Sequence, residues 1–172
     1  MARTPRTHTN TLEAWPVLPP LGDWQDTLDT VHRWTQIIGK IRLEQGPWIN
    51  HSWGSALYVT PRGLTTSPIP YEARTFSIDL DFTSHTFRLT SSTGDERRFA
   101  LRPMSVATFY ERTMGALTDL GLAVEINPRP VEIPDPTQPF PEDDQHASYD
   151  DEAMQRFWRA LVQADRVSKT FR

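Results

Sequence analysis

Apolar residues along the chain switch between two spacings, and each switch marks a change of element. Trp24, Leu28, Val31, Trp34, Ile38 and Ile41 recur three and four positions apart, which lines up one stripe on a helix. The spacing predicts a helix over 23–43, with Asp23 as N-cap and Gly46-Pro47 as its stop. Ala56–Thr60 and Leu64–Thr66 read as short strands around a Pro61-Arg62-Gly63 turn. From Thr75 to Phe82 the spacing falls to two. Phe76, Ile78, Leu80 and Phe82 alternate with Ser77, Asp79 and Asp81, so one strand face is buried and the other wet. Phe87 with Leu89, then Phe99 with Leu101, continue the alternation across turns at Ser84-His85 and Thr93-Gly94-Asp95. A three-stranded meander over 75–102 is expected.

The helical spacing returns after Ser105. Val106, Phe109, Tyr110, Met114 and Leu117 predict a helix over 105–120, capped by Ser105 and closed by Gly121. Ala123–Ile126 reads as a short strand, and Pro128–His146 as a long Pro-rich arm with clustered acids. A last helix over 150–171 opens on Asp150-Asp151-Glu152, which suits the positive end of a helix dipole. Met154, Phe157, Trp158 and Leu161 form its apolar stripe. The expected fold class is α+β: an antiparallel meander sheet packed by three main helices. It forms a single domain over 15–172 behind a polar, disordered tail over 1–14.

Composition narrows the class. Hydrophobic residues make up 37 % of the 172 positions and include six Trp and eight Phe, enough to build a core. The fifteen prolines fall mainly in connections. No stretch reaches the roughly 20 apolar residues that span a bilayer, and no apolar run follows Arg3 and Arg6, so neither a membrane partner nor a secretory signal is expected. The absence of cysteine removes disulfides, thiolate nucleophiles and Cys-ligated zinc, and fits a reducing, cytoplasmic location. A net charge of −4 without a basic, aromatic-interleaved run argues against nucleic acid as partner.

Four groups of residues carry candidate chemistry. His32, Gln36 and Lys40 stand four apart and share one side of the first helix; they form either a solvated polar face or a ligand-facing stripe. His51, after Asn50 and before Trp53, is either an acid–base group in an aromatic pocket or a core histidine satisfied by a carbonyl. Gly63-Leu64-Thr65-Thr66-Ser67, beside Arg62 and Arg74, offers hydroxyl, guanidinium and backbone N–H groups to an anion, although the phosphate-loop pattern is missing. Asp143, Asp144, His146 and Asp150, in the arm with Tyr149, are either hard-oxygen and imidazole metal ligands or a capped turn in a solvated acid patch, and the capped turn is the simpler reading.

Several runs resemble a known family. They are His32-Arg33-Trp34-Thr35-Gln36-Ile37-Ile38-Gly39-Lys40-Ile41-Arg42-Leu43, Asn50-His51-Ser52-Trp53, Leu57 through Tyr71, Ser105-Val106-Ala107 with Phe109-Tyr110, His146-Ala147-Ser148-Tyr149-Asp150 and Arg156-Phe157-Trp158-Arg159. Together they resemble a bacterial family described only as a domain of unknown function, for which no reaction is assigned. The resemblance implies that this chain matches the N-terminal half of a duplicated fold. The expected partner is then a second copy, as a homodimer, or a second half, with Trp158, Leu161 and Phe171 at the contact.

The leading expectation is a protein acting on a small molecule. Its pocket lies between the first helix and residues 50–67, with His51 and His32 as catalytic candidates. Gln36, Lys40, Trp53, Arg62, Thr65 and Thr66 are the ligand-binding candidates. No metal ligand is assigned and the cofactor is unknown. The alternatives are a non-catalytic interaction half-domain and a metal-dependent enzyme using His32, His51, His85 or His146.

Overall fold

The computed structural model describes residues 14–48, 50–133 and 138–171, so nearly all of the expected tail over 1–14 lies outside the described residues. The first helix, α1, spans Gln25–Gln45 and buries Val31, Trp34, Ile37, Ile38 and Ile41. Asp23 does not cap it. A tight turn at Leu21–Asp23 precedes the helix, and Trp24 occupies the cap position with no side-chain hydrogen bond. The Pro-rich approach sets that turn instead, with the Asp23 N–H donating to the Pro20 carbonyl.

Six antiparallel strands follow: β1 (Tyr58–Thr60), β2 (Gly63–Thr65), β3 (Ile69–Tyr71), β4 (Arg74–Asp81), β5 (Thr86–Ser91) and β6 (Glu96–Ala100). They are ordered β1-β2-β4-β5-β6, with β3 beside β4. The meander is therefore present, and β3 was not foreseen in the sequence. β2 and β3 lie along the same edge of β4, one at each end. Between them the chain kinks at Ser67, whose φ is 59°. The Thr66 hydroxyl bridges the kink by accepting the Ile78 N–H at 3.0 Å, standing in for a backbone carbonyl.

Register sorts the faces. Phe76, Ile78 and Leu80 of β4 lie opposite Ser91, Leu89 and Phe87 of β5, and this face meets the helices. Ser77, Asp79, Arg88 and Thr90 occupy the other face, which is polar. The second helix, α2 (Val106–Asp119), begins where the Ser105 hydroxyl accepts the Thr108 N–H and ends in a Schellman motif. Leu122 N–H donates to the Leu117 carbonyl and Gly121 N–H to that of Thr118, with Gly121 at φ 64°. Phe109 of α2 joins the layers: it stacks on Trp34 at 4.7 Å and meets Phe87 and Phe99 edge-on.

Ala123–Ile126 is not a strand. Leu122 and Val124 are buried, which produces the alternating pattern, but no ladder forms. The Tyr71 hydroxyl accepts the Ala123 N–H, and Arg74 donates to the Leu120 and Gly121 carbonyls. The last helix, α3 (Asp151–Ser168), starts where the Asp150 carboxylate accepts the Ala153 N–H. Its Trp158 is buried within the chain and donates its indole N–H to the Thr60 carbonyl at 3.1 Å, contrary to the uncovered position expected for it. Phe171, in the turn after α3, is 84 % exposed. No helix among the described residues is long and apolar enough to cross a membrane.

Candidate functional site

His32, Gln36 and Lys40 project from one side of α1, spread over about 12 Å of helix at 1.5 Å per residue. That side lines a cavity of about 670 Å³, within the range of small-molecule sites. Leu57, Val59, Leu64 and Phe82 form its sheet side, and Met154, Phe157 and Leu161 of α3 close it opposite. The walls are mainly apolar, and the polar side chains are His32, Thr35, Gln36 and Lys40 of α1, Ser52 and Ser55 of the turn, and Glu132 of the arm.

Three local features hold these walls in place. Gly39 faces the turn at Asn50–Ser55 so closely that a Cβ there would stand 2.8 Å from the Ser55 carbonyl oxygen. Arg42 fastens the same turn, donating to the Gly54 and Ala56 carbonyls at 2.6 and 2.9 Å while its guanidinium covers the Tyr58 ring. Gln36 is engaged from across the chain: its amide donates to the Val131 carbonyl at 2.6 Å and accepts the Val131 N–H at 3.0 Å. Val131 is thereby held at the cavity, with Glu132 beside it on the rim.

Lys40 is different. It forms no ion pair with a carboxylate among the described residues. Partial burial holds its pKa below the ordinary lysine value, because a desolvated ammonium is disfavoured.

A family model described as a family of unknown function (DUF5996) matches residues 15–172. The chain belongs to this family. No curated protein and no solved structure matches it. In this DUF5996 member the run His32–Leu43 is the cavity-lining part of α1. The run His146–Asp150 docks on the same helix through two buried threonines: Thr30 accepts the Ser148 N–H, and Thr27 accepts the Asp150 N–H. Neither threonine stood out in the sequence.

The remaining candidates lie elsewhere in the DUF5996 fold. His51 and Trp53, with Trp48 and Asn50, line a separate shallow hollow of about 530 Å³. Trp48 and Trp53 are 83 % and 71 % exposed, so they do not enclose His51 in an aromatic pocket. His51 and Ser52 both adopt left-handed backbone, with φ of 59° and 55°.

Arg62, Thr65 and Thr66 do not line the cavity, and each has a side-chain atom engaged within the fold. Arg62 Nε donates to Asp81 Oδ2 at 2.6 Å. Thr65 lies opposite Asp79, on the polar sheet face and away from the cavity, and its hydroxyl accepts the Ser67 N–H. Thr66 is buried at the kink. Gly63 is required for strand contact: a Cβ there would fall 1.8 Å from the Leu80 oxygen.

The arm residues build a buried turn. Asp143 accepts the Gln145 and His146 N–H groups, sits 2.8 Å from His146 Nδ1, and faces the buried Arg33 at 3.4 Å. His85 Nδ1 lies 2.8 Å from the Tyr149 hydroxyl. Burial, reinforced by Asp151, pushes that hydroxyl well above the usual tyrosine range. His51, His85 and His146 thus have surroundings separate from the cavity that His32 lines. Among the described residues no three His, Asp or Glu side chains converge to hold a metal ion.

Proposed function

We propose that this protein binds an elongated, largely apolar small molecule in the cavity along α1. The observation that carries this reading is the cavity's composition: apolar walls from the sheet and α3 face one polar line of His32, Gln36 and Lys40. A few placed polar groups in an apolar hollow fix a ligand's orientation while burial supplies affinity. Gln36 contributes by holding the arm, which leaves His32 and Lys40 as the ionisable groups of α1 that face a ligand. His32 can pass a proton to or from a bound molecule, so turnover is compatible with the same site.

Nile red, a neutral dye that brightens in apolar surroundings, tests the reading with the purified chain. The expected result is saturable enhancement that Leu161→Trp abolishes by filling the cavity, with circular dichroism unchanged. No saturable enhancement, or enhancement indifferent to Leu161→Trp, removes the support.

A second reading is favoured by the surface beside the cavity. Leu43, Trp48, Trp53 and Tyr58 are all exposed near the end of α1. Aromatics grouped in solvent are characteristic of partner surfaces. A second copy of the chain, or a second half of similar build, would cover them.

A further inference from the structure

We propose that the ligand is a monoanion, a single carboxylate carried on an apolar body, with its head against Lys40 and Ser52 and its body running toward Leu28 and Phe157. The inference rests on the cavity reading above and adds the charge and direction of the ligand.

The polar atoms around the cavity differ in what they have left to offer. Gln36 has both ends of its amide committed to Val131, and its Nε2 also lies 3.4 Å from His32 Nε2. Thr35 donates its hydroxyl to the His32 carbonyl, and Ser55 donates to the Ser52 carbonyl at 2.8 Å. The Lys40 ammonium and the Ser52 hydroxyl have no side-chain partner among the described residues. Both line the cavity, and the close approach of Gly39, the neighbour of Lys40, to Ser55 brings α1 against the turn that carries Ser52. Ser52 is exposed, so a charge bound beside it stays partly in water. That arrangement avoids the cost of burying an ion deep among apolar side chains.

The sign and size of the head follow from the same inventory. A cation with a hydroxyl beside it matches an acceptor-only, negatively charged group. Glu132, next to the Val131 that Gln36 holds, adds negative charge at another part of the rim and disfavours an anion there. Among the described residues no arginine and no helix N-terminus lines the cavity, so they do not supply the forked or multiple donors suited to a doubly charged phosphate. One lysine and one hydroxyl suit one carboxylate. Beyond the head the lining turns apolar, through Val59 and Leu64 to Phe157, which calls for a hydrocarbon or aromatic body.

Displacement of Nile red by decanoate, decanol and decyltrimethylammonium, each below its micelle concentration, tests this in wild type, Lys40→Met and Lys40→Arg. Decanoate should compete best. Lys40→Met should weaken it about tenfold or more while decanol changes by less than about twofold, and Lys40→Arg should stay close to wild type. Equal competition by decanoate and decanol, with Lys40→Met weakening neither, overturns the anion and leaves the cavity reading standing. Preference for decyltrimethylammonium overturns it as well. Failure of all three amphiphiles and of Nile red itself overturns both.

Discussion

Replacing Asp81 by Asn tests whether the Arg62 region is built for the fold or for a ligand. Asp81 is buried at the end of β4, and its carboxylate accepts four hydrogen bonds. Oδ1 takes the Thr83 N–H and hydroxyl and the Ser84 N–H at 2.7–3.0 Å, and Oδ2 takes Arg62 Nε at 2.6 Å. Burial alone would raise the Asp81 pKa. The hydrogen bonds from Thr83, Arg62 and Ser84 outweigh it and hold the group far below the ordinary carboxylate value of 3.8. Asparagine keeps one oxygen for the turn but turns a donor toward Arg62, itself a donor. Losing a charge-assisted bond costs about 1.5–3 kcal/mol, discounted here because the Arg62 side chain is 60 % exposed. With the turn bonds weakened from ionic to neutral, the total comes to about 2–3 kcal/mol at pH 7. For a chain of this length that lowers Tm by about 5–10 °C. The sign with pH is fixed: a carboxylate depressed in the folded state stabilises fully above 3.8 and loses that contribution as pH falls below it. Urea titrations should therefore show the gap between wild type and Asp81→Asn narrowing by roughly 1 kcal/mol between pH 7 and pH 3. A gap under about 0.5 kcal/mol at pH 7, or one that ignores pH, would refute the structural role assigned here to Asp81 and Arg62.

Gly39→Ala should destabilise the protein by about 1–3 kcal/mol despite alanine's higher helix propensity, because its Cβ would press on the Ser55 oxygen. Nile red binding should weaken with it, and a more stable variant in urea would contradict the proposed contact. Sedimentation at micromolar concentration should give a dimer that the double variant Trp48→Ser, Trp53→Ser converts to monomer with an unchanged circular dichroism spectrum. A wild-type monomer of 19.8 kDa ends the self-association reading.

How much of this was legible in the sequence depended on where each residue's partner lies. The α1 stripe and the β4 alternation announce themselves because burial repeats with the element's own period, so Trp34, Ile38, Ile78 and Leu80 needed no knowledge of their neighbours. Ser105 and Asp150 were readable as caps because the N–H groups they accept lie three residues away. Thr27 and Thr30 were not, since a threonine inside a helix looks neutral until the segment it holds is known, and Ser148 and Asp150 are more than a hundred residues distant. β3 escaped because three residues containing Pro70 carry too little alternation to register as a strand.

The candidate site follows the same rule. A hydroxyl or guanidinium beside glycine reads alike whether it awaits an anion or completes a kink, so Arg62, Thr65 and Thr66 resembled a cradle. What separates them from Lys40 is place as well as commitment, since none of the three lines the cavity. Arg62 is bound to Asp81, Thr65 to Ser67 and Thr66 to Ile78, whereas Lys40 faces the cavity with no carboxylate partner among the described residues. Gln36 shows the converse: its place in the polar stripe was visible, but its partner Val131 stands 95 residues away, and that bond turns a presumed ligand contact into the fastening of the cavity's rim. A polar stripe on a helix therefore marks where a site can be. Which of its members bind ligand is decided by the hydrogen-bond capacity the fold leaves unspent, and along α1 that capacity is greatest at Lys40.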